Sequence, residues 1–367
     1  MIGVIGPALA SFCVCLLAIF ALRPIAIAVD LIDRPGGRKT HHGDVPIVGG
    51  LAMFLGVILG ISLLPLPGTT SGAFLAAATV LVTVGLIDDR FDLSPWTRLP
   101  AQIAAVIVLM GSSDSMVHSL GTPFGGDEII FSDAGSIAFT ILITIAAINA
   151  FNMLDGMDGL AGTTALTSLL SIALVSWAGN LWIPLAVSLV VAGAVCAFLV
   201  FNLPVRMNRP MRCFMGDAGS TLLGFAVAWL CIHVSQGPSR VVSPTTALWL
   251  VALPLYELVW TTVRRLLNGV SPFRADNLHF HHLVLKVGFG VRGAFGIFVF
   301  LTLVLAGIGL TLDALHVADA HSLLLLLAAG VATVLLMHRA ELLWRLVPDS
   351  LRRLPPLDPA AAPKASD

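Results

Sequence analysis

The strongest constraint on this chain is its succession of long apolar stretches joined by short polar ones. A membrane-crossing helix needs about 20 mostly apolar residues. That template finds about eleven candidates, at 3–22, 46–65, 73–87, 99–113, 136–153, 160–178, 181–203, 218–236, 245–267, 293–312 and 321–338, the third and fourth being short. Charged residues make up only 11% of the chain and hydrophobic ones 57%, against roughly 25% charged in soluble domains. The expected fold is therefore an all-α polytopic membrane protein with about eleven transmembrane helices. No basic stretch precedes the first run and no A-x-A site closes it, so it is expected to stay as a span. One polytopic unit over 1–345 is expected, followed by a Pro-, Ala- and charge-rich tail at 346–367 that is expected to be disordered.

Lys and Arg set the orientation, because they accumulate in cytoplasmic loops. When alternate loops are compared, Arg240 is alone on its side, while the other Lys and Arg residues fall opposite, from Arg23, Arg34, Arg38 and Lys39 to the C-terminal Arg339 and Arg345. An odd number of spans then places the N-terminus outside and the C-terminus in the cytoplasm, and a missed pair of spans leaves that assignment unchanged. Four cysteines lie within spans and Cys213 in a loop, so neither a disulfide framework nor a zinc site is expected. The outward segment GTPFGGDEIIFSDAG (121–135) has glycine punctuation around a short apolar run, which suggests a small hairpin or re-entrant turn.

With that orientation, the carboxylates also collect on the cytoplasmic side, in clusters with Gly and Asn. In GLIDDRFDLSPW (85–96) a span ends in adjacent Asp88 and Asp89, with Asp92 beyond. Two neighbouring carboxylates repel unless a cation lies between them, so the pair reads either as a general base or metal-sensing site or as a mixed-charge helix end. In NAFNMLDGMDGLAG (149–162), Asn149, Asn152, Asp155 and Asp158 follow at intervals of three. Residues at i and i+3 are neighbours on a helix face, and Gly156 and Gly159 argue that the helix ends there, at a wet or protein-buried break. In RCFMGDAGSTLLGF (212–225), Asp217 sits between glycines just before a span, with Ser220 and Thr221 after it. This is a setting for phosphate plus a hard cation, or an ordinary helix cap.

Two basic loops complete the set. RADNLHFHHLVLKVGFG (274–290) carries His279, His281 and His282 without the spacing of a zinc site, near Arg264, Arg265, Arg274 and Lys286. Those imidazoles suit phosphate oxygens, or belong to an inert polar loop. DRPGGRKTHHGDVPIVGG (33–50) brings Lys39 and its basic neighbours to a span entry, either to hold an anionic group or simply to set topology.

In order, these five segments resemble the polyprenyl-phosphate N-acetylhexosamine-1-phosphate transferase superfamily, of the glycosyltransferase 4 type. The HFHH run beside SPFRAD looks most like its bacterial GlcNAc-transferring branch. The resemblance implies transfer of GlcNAc-1-phosphate from UDP-GlcNAc to undecaprenyl phosphate, with UMP released, at the cytoplasmic face of the bacterial inner membrane. Such a step would begin a cell-envelope polysaccharide, such as the O antigen of lipopolysaccharide or a cell-wall glycan. It implies Mg²⁺, or Mn²⁺ in its place, with Asp217 as metal ligand and Asn152 as the second, and Asp88 and Asp89 as the catalytic pair serving the lipid phosphate. It further implies that Asp155 and Asp158 line the nucleotide pocket near Lys39, and that Arg265, Arg274, His279, His281 and His282 close over the sugar diphosphate.

Two details depart from the pattern. Glu257 stands where Asp is expected, and SPW follows the acidic run with fewer basic residues than usual. The expected partners are UDP-GlcNAc, undecaprenyl phosphate and the bilayer, with no nucleic acid; a homodimer is left open. A sister transferase for another UDP-N-acetylhexosamine remains an alternative. A transporter would instead carry its ionisable groups near the bilayer midplane, often within inverted repeats.

Overall fold

The computed structural model describes residues 2–34, 44–111, 115–204, 211–272 and 278–339. Lys39, Arg274 and the 346–367 tail lie outside them. Along the chain come α1 (Ile2–Ala28), a short antiparallel pair β1 (Ile32–Asp33) and β2 (Val45–Pro46), α2 (Gly49–Ser62), α3 (Gly68–Phe91) and α4 (Pro95–Leu109). Then follow α5 (Asp133–Leu154), α6 (Leu160–Ala178), α7 (Trp182–Asn202), α8 (Gly216–Ser235), α9 (Pro244–Leu250), α10 (Ala252–Leu267), α11 (Phe280–Lys286), α12 (Val291–Ala314) and α13 (Asp319–His338).

Among the described residues, eight helices are long and apolar enough to cross a membrane, or nine if α9 and α10 count as one bent span. Leu9, Leu17, Leu142, Leu174, Phe300 and Leu327 are among the large apolar side chains left exposed on these helices, as a lipid-facing surface requires. The protein is thus a multi-pass, predominantly helical membrane protein. All eleven apolar segments of the sequence are represented, but two do not reach span length. At 1.5 Å per residue the 14-residue α2 is roughly 21 Å long, against a hydrocarbon core of about 30 Å. The 15-residue α4 is similar and carries Arg98 in its first half. In contrast, α3 is longer than its apolar window, because the helix runs on through Asp88, Asp89 and Arg90 to a left-handed cap at Asp92.

The segment expected as one span at 245–267 is broken at Val251, where α9 and α10 meet at 83°. Pro254 has no N–H to offer the carbonyl of Leu250, four residues earlier. The Ser168 hydroxyl of α6 donates to that carbonyl instead, at 2.6 Å, so the break is satisfied inside the protein.

The helix at the centre is α8, which is wrapped by α2, α3, α5 and α6 and has 94% of its apolar window buried. Glycines allow the approach. A Cβ on Gly85 of α3 would collide with the backbone of Ala218, and one on Gly224 would lie 2.7 Å from the Ile148 Cα of α5. Small residues at such crossings bring backbones together where no hydrophobic force between helices is available.

The two ends of the bundle differ. At one end Ser119 pairs with Ile130 in the hairpin expected near 121–135. There Glu128 accepts from Ser119 Oγ at 2.6 Å and from Arg240 at 3.1 Å. Nearby, Asp319 accepts the Thr122 N–H at 3.1 Å, and Asp313 accepts the Ser243 N–H at 3.1 Å and the Thr246 hydroxyl at 2.8 Å. The opposite end gathers the close of α3 and α5 and the start of α2, α4, α6 and α8.

Candidate active site

At that second end, β2 and the residue after it run beside the strand-like stretch before α8. Ile47 bridges Phe214 in parallel, and the Gly49 and Gly50 N–H groups donate to the Phe214 and Met215 carbonyls at 2.9 and 3.0 Å. The start of α8 is thereby fixed against the start of α2. From α3, Asp89 fixes it again, since its carboxylate accepts the N–H of Asp217 at 2.7 Å and of Ala218 at 3.3 Å. Gly216 has a φ of +68°, and a Cβ there would strike that carboxylate, so the glycine before Asp217 is required twice over. The first amides of α8 are therefore occupied by a protein carboxylate, where the sequence suggested a seat for phosphate.

Asp88 has a separate set of partners. It is 4% exposed. One oxygen accepts the Leu93 N–H at 2.7 Å and holds the turn after α3, and the other meets Arg98 Nη1 at 2.6 Å. The same guanidinium nitrogen reaches Asp217 at 3.1 Å. Arg98 thus neutralises two carboxylates from different helices, a role the sequence reading missed. The only local signal is a basic residue ten positions after Asp88, and it becomes meaningful once Ser94–Pro95 turns the chain back into α4. Beneath these three residues a small, partly open cleft is lined by Leu81, Val84, Gly85, Ala101, Gln102 and Thr221, giving a charged rim over a mostly apolar floor.

Asn152, in the last turn of α5, completes the centre. Its amide hydrogen-bonds to the other Asp217 oxygen and, at 3.0 Å, to Ser220 Oγ. Asp88, Asp89, Asn152 and Asp217, all picked out in the sequence, are therefore brought together. Among the described residues no group of three or more His, Cys, Asp or Glu is arranged to hold a metal. The Asp217 carboxylate and the Ser220 hydroxyl nevertheless offer oxygens to a hard divalent cation, which keeps waters for a substrate to displace; Asn152 donates from its Nδ2 to both here and would present its oxygen to such an ion with the amide turned over. Asp217 is also accessible, with its side chain 31% exposed.

Of the remaining predicted residues, Lys39 and Arg274 lie outside the described residues, and the others are placed as follows. Asp155 follows α5 directly, and among the described residues its carboxylate has no hydrogen-bond partner. Burial first, then the charges of Asp217, Asp89 and Asp158, push that carboxyl well above the usual range. Asp158 is bound to Arg212 through both oxygens, at 2.7 and 2.8 Å. Gly159 closes the turn with a φ of +76°, and its N–H donates to Asn202, whose amide donates on to the Cys213 carbonyl.

The histidines arrive from α11. The His281 ring is buried against Gly156, where a Cβ would overlap it. Neither of its nitrogens has a hydrogen-bond partner among the described residues. Burial, with His282 and His279 close by, lowers its pKa well below the ordinary value, so it is a neutral ring at physiological pH. His282 lies 4.1 Å from it, centroid to centroid, and His279 stacks nearly parallel to it at 5.8 Å. Arg265 turns instead to the Pro272 carbonyl at 2.6 Å, and is 5% exposed.

Residues 71–235, which carry most of this centre, match the family model described as glycosyl transferase family 4. Similar chains include three proteins named undecaprenyl-phosphate alpha-N-acetylglucosaminyl 1-phosphate transferase. The one from Salmonella typhi is 36% identical over 81% of both chains. The Escherichia coli O157:H7 protein is 36% identical over 92% of both, and the Haemophilus influenzae protein 34% identical over 83% of this chain and 85% of its own. With that identity over most of its length, and its acidic centre inside the matched segment, the chain belongs to glycosyl transferase family 4, together with these transferases.

Proposed function

We propose that the protein transfers GlcNAc-1-phosphate from UDP-GlcNAc to undecaprenyl phosphate, at the cytoplasmic face of the bacterial inner membrane. An acceptor phosphate oxygen attacks the sugar-bearing phosphorus, a new P–O bond forms, the bond to the UMP phosphate breaks, and UMP leaves. The product, undecaprenyl-diphospho-GlcNAc, would open the assembly of a cell-envelope polysaccharide. The observation that carries this reading is the convergence of Asp88, Asp89, Asn152 and Asp217 from α3, α5 and α8 around Arg98. Phosphoryl transfer asks a protein mainly for alignment and charge neutralisation, and an acidic centre with one shared guanidinium is built for both. The cytoplasmic assignment rests on Lys and Arg, which crowd the loops at this end and leave Arg240 at the other.

Asp217 and Asn152 are the residues that would hold Mg²⁺ or Mn²⁺, which when bound supplies positive charge to the diphosphate. Asp88 positions Arg98 and the turn after α3. With both oxygens engaged it orients the acceptor rather than removing a proton, which a prenyl phosphate, already largely anionic at neutral pH, does not require. The acceptor phosphate is placed at the charged rim of Asp88, Arg98 and Asp217, with its lipid chain leaving along the apolar side of the cleft. Asp155 and Asp158 are assigned to the nucleotide, and His279, His281, His282 and Arg265 to the sugar diphosphate; Lys39 and Arg274, outside the described residues, are assigned to the same two ligand groups from the sequence pattern alone. The unit responsible spans 1–345.

Purified protein given UDP-GlcNAc, undecaprenyl phosphate and Mg²⁺ should release UMP and form the lipid-linked sugar. EDTA should stop the reaction and Mn²⁺ restore it. Failure with every UDP-sugar would end the enzyme reading, and product only with UDP-GalNAc or a UDP-MurNAc peptide would end the proposed specificity.

A further inference from the structure

Glu257 marks a departure in the sequence, and the structure gives it a specific environment. It lies in α10 with a fully buried side chain. One oxygen lies 2.8 Å from His279 Nδ1 and accepts from Thr261 Oγ1 at 3.1 Å, and the other accepts the Phe280 N–H at 3.0 Å. Phe280 is the first residue of α11, and the His279 side chain makes no cap there. The helix that carries the histidines is thus held at its start by a carboxylate from another helix.

We propose that Glu257 is a positioning residue for His279, fixing Nδ1 as the protonated ring nitrogen and seating α11 against the turn that contains Gly156. An ionised carboxylate can only accept, so the imidazole nitrogen facing it must carry a proton. Nε2 is left as the ring's other hydrogen-bonding atom, and the 13% exposed side chain gives it access to a ligand. A neighbouring carboxylate sets histidine orientation and tautomer in this way wherever the second nitrogen has work to do. The same carboxylate also governs His281, because α11 carries that ring onto Gly156. The proposal deepens the functional reading above and rests on it, in that the histidine arm is taken to meet the sugar diphosphate.

Glutamine cannot reproduce this arrangement. If its amide oxygen faces His279, its NH₂ opposes the Phe280 N–H; if it is reversed, His279 must give up its Nδ1 proton. Aspartate keeps two acceptor oxygens. The test therefore uses E257Q, E257D, H279A and E257Q/H279A in full-length protein in detergent, read by UMP-release kinetics and by long-range ¹H–¹⁵N spectra of ¹⁵N-histidine-labelled protein.

E257Q should raise KM for UDP-GlcNAc by about tenfold, as for a buried hydrogen bond to a charged group, with a smaller change in kcat. The double variant should be no worse than H279A beyond about twofold, because the two residues act as one unit. E257D should bring KM most of the way back to the wild-type value. The wild-type His279 signal, assigned by its disappearance in H279A, should show the Nδ1–H form. Losses that multiply in the double variant, or a wild-type His279 in the Nε2–H form, would overturn the proposal. If wild-type protein uses no UDP-sugar the functional reading fails, yet the spectrum still decides the Glu257–His279 relation. The wild-type spectrum and E257D also keep the test decisive should E257Q not accumulate.

Discussion

The two ends of the bundle treat carboxylates in opposite ways. At the hairpin end three acids have their own donors: Glu128 has Ser119 and Arg240, Asp319 has Thr122, and Asp313 has Ser243 and Thr246. At the other end Asp88 and Asp217 share Arg98, while the Asp155 carboxylate lacks a hydrogen-bond partner among the described residues. Paired acids fix loops in place. Acids gathered around a shared cation repel one another, a repulsion that a bound cation would relieve, and that marks the second end as the place where something binds.

The strongest way to break this contrast is at Asp217. D217A should lower UMP release by about 10²–10³-fold, the scale of losing one preorganised electrostatic group, and abolish the response to Mg²⁺. Metal-stimulated turnover surviving in D217A would remove that residue from the metal role. Next comes Arg98. R98A should cost about 10–100-fold in kcat/KM, with R98K intermediate. In EDTA its melting temperature should also fall, by about 2–4 °C, and recover with Mg²⁺, because the two carboxylates have lost their shared cation. An R98A protein as stable in EDTA as wild type would show that no repulsion is stored there.

A third change sharpens the contrast by altering packing alone. G85A would push α3 away from Ala218 just below the acidic pair, and overpacking of this kind costs about 1–3 kcal/mol. Thermal unfolding should report that loss, and activity should fall with it.

The smallest effect belongs to the hairpin end. The Ser119 hydroxyl and the Arg240 guanidinium hold the Glu128 carboxyl below its ordinary value. A lowered folded-state pKa means that its contribution is present above the unfolded value and disappears as pH falls through the folded one. E128Q should therefore lower the melting temperature at pH 7 by about a degree or less, as expected for an exposed pair, and by nothing in acid. Its turnover should equal wild type.

Much of this was legible in the sequence, for reasons that differ from residue to residue. Apolar runs locate helices because lipid demands them, and Gly156 and Gly159 correctly signalled where α5 ends. The hairpin was readable from its glycines. Asp89 was seen as half of a pair, but its real partners are the amides of Asp217 and Ala218, more than a hundred residues away, and no local pattern encodes such a contact. Arg98 was passed over because its meaning depends on the reversal between α3 and α4. The bend at Val251 was hidden because Pro254 alone permits either a kink or a straight first turn; the Ser168 hydroxyl on α6 is what completes the break.

The near-complete enclosure of α8 bears on how the protein is made. A helix with 94% of its apolar window facing protein gains little from lipid on its own, and its glycines are useful only once α2, α3 and α5 are in place. Asp217 rides on this helix and Asn152 on a neighbour, so the pair exists only once α5 and α8 have packed together. A partly assembled chain in the membrane would therefore lack the means to capture substrate, and catalytic competence would itself report completed folding.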